Sequence, residues 1–134
     1  MTGFSDYLEN KLLNHILGGV AYNPLSTVYV GLSSTDPSEA GGNITEPVGN
    51  GYARVAVTNN TTNWPTVSNS TKTNGATITW PQVSGAWGNI AYVVVFDQLV
   101  GGNALMGGVL NDPKSPTNGD TVQYGIGAFQ LLLN

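Results

Sequence analysis

Five stretches rich in Gly, Asn, Pro and Ser cut this chain into short pieces: DPSEAGGN, NNTTNWP, SNSTKTNG, LVGGN and NDPKSPTNGD. Turn residues at that spacing interrupt regular hydrogen bonding too often for long helices, so the pieces between them read as strands. TVYVGLS (27–33) places Val28, Val30 and Leu32 on one face. YARVAVT (52–58) alternates Ala53, Val55 and Val57 with Tyr52, Arg54 and Thr58. ATITW (76–80) is short, with Ile78 and Trp80 in phase. IAYVVVFD (90–97) is apolar on both faces, the pattern of a central strand covered on two sides. ALMGGVL (104–110), TVQYGIG (121–127) and AFQLLL (128–133) complete the set. Short strands joined this way predict a mainly β fold, an antiparallel β-sandwich or small barrel over residues 27–134. LVGGN predicts a hairpin between Phe96 and Ala104. The link from 33 to 52 is long for a compact domain and reads as an exposed excursion. The Asn/Thr/Ser-rich tract 58–74 reads as a surface loop, anchored in its middle by Trp64-Pro65.

One segment breaks the pattern. In FSDYLENKLLNHILGG (4–19), Phe4, Leu8, Leu12 and Ile16 recur every four residues and form an apolar stripe that Leu13 and Leu17 widen. Ser5 is suited to cap the first turn, where Asp6 and Glu9 meet the positive end of the helix, and Gly18-Gly19 supplies the stop. An N-terminal amphipathic helix over 4–19 is expected. It is too short to be stable alone, so Phe4, Leu8, Leu12 and Ile16 are the candidate docking face, toward its own domain or a partner.

With 134 residues the chain is read as a single domain, 1–134. It has no cysteine, which removes disulfides, thiolate catalysis and cysteine-based zinc sites. Only 9% of residues are charged, and the net charge is −4. The four cations, Lys11, Arg54, Lys72 and Lys114, are dispersed, so no basic face for nucleic acid is readable. No run approaches the ~20 apolar residues of a membrane span, and no secretory signal is readable, so no membrane insertion is expected.

The search for chemistry returns little. His15 is the single histidine and sits in the last turn of the expected helix, where a capping or structural role is favoured over catalysis. GLSS (31–34) lacks the surroundings of a nucleophile elbow. Asp112 and Asp120 do not have the ligand spacing of a calcium loop. Asp36, Glu39, Glu46 and Asp97 offer no defined carboxylate pair for glycoside hydrolysis. The expectation is therefore no catalytic, metal or cofactor residue. Trp64, Trp80 and Trp87 could stack on sugar rings if exposed, as in a carbohydrate-binding module, or anchor the core if buried. Packing is favoured for Trp80, while Trp64 and Pro65 are the candidate exposed-loop contacts.

Taken in order, FSDYLENKLLNHILGG, VYVGLSSTDPSEAGG, GYARVAVT, NWPTVSNSTKTNGATITWPQVSGAWGNIAYVVVFD, GGNALMGGVL and NGDTVQYGIGAFQLLL resemble a family of small tailed-bacteriophage virion proteins. Its members are commonly labelled phage tail fibre or minor tail proteins, and similar small β-proteins decorate phage heads. The chain departs from that pattern in its apolar ending LLLN, where a more acidic end is usual. The resemblance implies a non-enzymatic structural protein of the virion exterior, assembled in the host-cell cytoplasm. It implies self-association, as a homotrimer, and contact with the major capsid protein or with tail or baseplate subunits. The compact chain lacks a repeat shaft, which tilts the reading toward a head decoration or cement protein. The alternatives are a tail fibre, minor tail or baseplate protein touching the host through the loops 36–51 and 58–74, and a module binding a host-surface glycan.

Overall fold

The computed structural model describes residues 1–132. Three antiparallel sheets carry the fold. The largest holds β1 (Gly3–Phe4), β2 (Thr27–Ser33), β3 (Val55–Thr58), β6 (Ile90–Phe96) and β7 (Ala104–Lys114) in the order β1-β7-β6-β2-β3. Two ribbons, β4 (Thr71–Thr73) with β9 (Gln130–Leu132) and β5 (Ile78–Thr79) with β8 (Gln123–Tyr124), supply the facing side chains. The large sheet is open at β1 and β3, so the sandwich reading holds and the barrel reading does not.

The core follows from strand alternation. Val28, Val30 and Leu32 of β2 and Val93 and Val95 of β6 point inward and meet Ile78, Trp80, Tyr124, Phe129 and Leu131. Trp80 stands edge-on to Tyr124 and Phe129, with centroids 6.1 and 6.4 Å away. The opposite face of β6 is also covered: Val94 and Phe96 pack with Ala104, Tyr29 and Ile44. β6 is thus the central strand its apolar sequence predicts, with β2 and β7 on either side.

The helix is shorter than expected: α1 runs Asp6–Ile16, not 4–19. Phe4 belongs to β1, opposite Met106, because backbone pairing to β7 satisfies its polar groups before the helix starts. Ser5 is the hinge between the two. Its amide donates to the Leu105 carbonyl at 2.9 Å and its hydroxyl donates to the Ala104 carbonyl at 2.6 Å. The same oxygen accepts the Leu8 amide at 3.3 Å, the capping contact the sequence implies. At the other end the Leu17 N–H closes the helix by donating a hydrogen bond to the Leu13 carbonyl, and Gly19 takes φ +69°, a conformation that favours glycine. Leu8 is buried and Leu12 half-buried, so the helix docks on its own domain; Ile16 is exposed.

A second correction concerns 58–74. This tract is not a free surface loop: it contains β4, and Asn74 at its end is fully buried. The Asn74 amide nitrogen donates to the Ala76 and Gly125 carbonyls at 2.9 and 2.8 Å, and its side-chain oxygen accepts the Phe129 amide at 3.0 Å. One side chain therefore ties the entry of β5 to the turn between β8 and β9. The strand expected over 128–133 is observed as β9; Leu133 and Asn134, the end of LLLN, lie outside the described residues.

Candidate functional site

The residues considered for chemistry are held in structural contacts. His15 is exposed, and its Nδ1 lies 3.1 Å from the Val20 carbonyl and 3.4 Å from the Tyr22 amide. One nitrogen cannot serve both at once, since the first contact needs it protonated and the second needs its lone pair. Either way the ring clips the strap that follows the helix. Asp97 accepts the amide and side-chain nitrogen of Asn103 at 2.7 and 2.9 Å, closing the LVGGN hairpin. Asp112 pairs with Lys114, while Asp120 caps the turn at Thr117. Among the described residues no group of three His, Cys, Asp or Glu could hold a metal ion, and no helix is long and apolar enough to cross a membrane.

Trp64 and Pro65 correct the exposed-loop expectation. Trp64 is only 6% exposed, and Pro65 is half-buried against Gly75. The polar Asn/Thr surroundings of Trp64 pointed outward, but the indole packs on residues distant in sequence. Trp80 and Trp87 are buried as well, and Trp87 Nε1 donates to the Asn50 carbonyl at 2.9 Å. None of the three presents an open face for stacking on a sugar.

The densest polar group was not predicted. On the outer face of the large sheet the Arg54 guanidinium makes a forked pair with Glu46, Nε to Oε1 at 3.0 Å and Nη2 to Oε2 at 2.8 Å. Its Nη1 donates to the carbonyls of Gln98 and Gly101, both at 2.8 Å, and its carbon lies 3.4 Å above the centre of the Phe96 ring. Tyr52 donates to Glu46 Oε1 at 2.7 Å and accepts the Leu32 amide at 2.9 Å. Burial, then the hydrogen bond to Glu46, holds the Tyr52 hydroxyl far above the ordinary tyrosine range. Every donor of the fork but one is engaged, so this cluster works as a pin joining the excursion 33–54 to the β6–β7 hairpin. Six- and eight-residue separations within a loop carry no periodic signal that would announce it.

Around this pin the surface is apolar. Val48, 92% exposed, Leu99 and Val100 line one groove with Arg54. A second patch comprises Leu13, Ile16, Leu17 and Val20 at the end of α1, with Ile16 70% and Leu17 77% exposed. The strap adjoining that patch leads into β2 near the hairpin: Tyr22 has a raised pKa, chiefly from burial, with Tyr7 and the hairpin's Asp97 adding to it. Isolated exposed hydrophobics are ordinary, whereas clustered ones mark contact surfaces. An apolar pair at a hairpin tip, as in LVGGN, was the sequence signal available for one of them. The arrangement provides shape and apolar area, with few charges to desolvate.

A family model described as podophage GP4 fiber I protein gp80 matches residues 3–132. No curated protein matches the chain.

Proposed function

The chain belongs to the podophage GP4 fiber I protein gp80 family, a family of fibre-type structural components of the phage virion, and on that premise we propose that it works as a non-enzymatic part of the tail fibre. In this role it associates with copies of itself, as a homotrimer, and with neighbouring tail or baseplate subunits. The observation that carries the reading is the pair of exposed apolar patches, Leu13/Ile16/Leu17/Val20 and Val48/Leu99/Val100. Contacts that are weak singly become strong when repeated around a closed ring. The low charge of the chain limits the desolvation cost of bringing such surfaces together.

The family's description favours the tail over the head-decoration role toward which the compact chain leaned. The glycan reading, which rests on Trp64 and neighbouring tyrosines, loses the tryptophan from its stacking platform, since all three indoles are buried. The reading is tested by immunogold labelling of intact particles together with sedimentation of the purified chain. Label on tails and a trimer that dissociates in the Ile16→Ser/Leu17→Ser double variant are expected. Label confined to heads would refute the tail assignment. A wild-type monomer at every concentration would refute the self-association.

A further inference from the structure

Beneath the helix lies a cleft distinct from the two exposed patches. Its volume is about 210 Å³, and its lining includes Leu8 of α1, Val28 of β2, Val95 of β6, Leu131 of β9, Trp64 and Lys72. The apolar walls are the inner face of the large sheet continued past the edge of the packed core.

The one charged side chain in that lining is Lys72. Arg54 is paired with Glu46, Lys114 with Asp112, and Lys11 lies 5.5 Å from the centre of the Tyr7 ring. Lys72, half-buried on β4, forms no ion pair among the described residues. An apolar slot edged by one unpaired cation is complementary to an apolar chain ending in an oxygen anion.

We propose that this cleft binds a single-chain aliphatic carboxylate. The chain lies among Leu8, Val28, Val95 and Leu131, with the Trp64 side chain beside it, and the carboxylate pairs with Lys72 Nζ. The volume sets the length: a cavity of ~150 Å³ holds the six carbons of benzene, and 210 Å³ is about 1.4 times as large. That matches a chain of about eight carbons and leaves no room for a second chain, so a free carboxylate is favoured over a two-chain lipid.

The test titrates the full chain with hexanoate, octanoate, decanoate and octanol, reading heat by calorimetry and indole fluorescence in parallel. Octanoate is expected to bind saturably, with affinity rising about fourfold per methylene up to eight carbons and then levelling. Octanol should bind at least about tenfold more weakly than octanoate to the wild type, a difference of one charge-assisted contact. Lys72→Met keeps the aliphatic stem and should bring octanol and octanoate to equal affinity. Trp64→Phe should abolish the fluorescence change while heat is still released. No saturable heat with octanoate, or equal binding of octanol and octanoate to the wild type, would overturn the proposal. So would a fluorescence response that survives in Trp64→Phe, or binding to phosphatidylglycerol vesicles without any to octanoate.

Discussion

Replacing Asn74 by Ala should be among the most damaging single changes this chain can suffer. The side chain is fully buried and makes three hydrogen bonds to backbone groups of two segments, at Ala76 and at Gly125 and Phe129. Alanine leaves one N–H and two carbonyls without that partner. Each buried group deprived of its bond costs about 1–3 kcal/mol, and the losses are not additive because a water can enter the vacated space. A net loss of about 3 kcal/mol is expected, a large part of the ~5–15 kcal/mol that holds a domain folded. With an unfolding entropy of ~2.1 cal/mol/K per residue, that lowers the melting temperature by about 10 °C. Urea unfolding followed by tryptophan fluorescence measures it directly, with Thr66→Ala, at an exposed position, as the control expected to stay within about 0.5 kcal/mol. Amide exchange at Phe129 supplies a local readout. A loss below about 1 kcal/mol with the Phe129 amide still protected would refute the reasoning, since it would mean that the segments hold their places without Asn74.

Gly31→Ala tests the outer pin: an added Cβ would lie 2.7 Å from Glu46 Oε1, 2.9 Å from Phe96 Cε2 and 3.0 Å from the Tyr52 hydroxyl. Crowding of this kind typically costs about 1–3 kcal/mol, read as a lowered urea midpoint, and an unchanged midpoint would show the pin to be slack. Alkaline titration tests the buried tyrosines. Burial, with Asp112 adding to it, pushes the Tyr124 hydroxyl up to about 12, so between pH 10 and 12 the folded state binds more protons than the unfolded one. Stability is then fully present below pH 10 and falls as pH rises toward 12, and phenolate absorbance should develop in step with unfolding. A fully ionised tyrosine set in a chain still folded at pH 11 would contradict this.

What could be read beforehand divides along a physical line. β2 and β6 are long enough, and rich enough in Val and Ile, that alternation alone located them, and the cap at Ser5 follows from one side chain and its neighbours. β1 and β4 escaped notice because two or three residues carry no periodicity; they are strands only because β7 and β9 lie beside them. Phe4 fitted the helical stripe and was claimed by a strand for the same reason. Trp64 misled through its polar setting: local composition says loop, while burial is decided by Leu8 and Leu131, far away in sequence. The Glu46–Tyr52–Arg54 pin had no signature, since its geometry exists only after the excursion folds back over Gly31 and Phe96.

The pairing of β1 with β7 also has a bearing on how the protein is made. β1 finds its strand partner about a hundred residues later in the sequence, and β4 must wait for β9. Until then α1 has neither the Ala104 and Leu105 carbonyls to anchor Ser5 nor much of a wall for Leu8. Such distant closures are slow, so the nascent chain spends its synthesis with the greasy side of its opening helix uncovered. High-level production should accordingly be limited by chaperone supply during translation, even though the finished molecule is well packed.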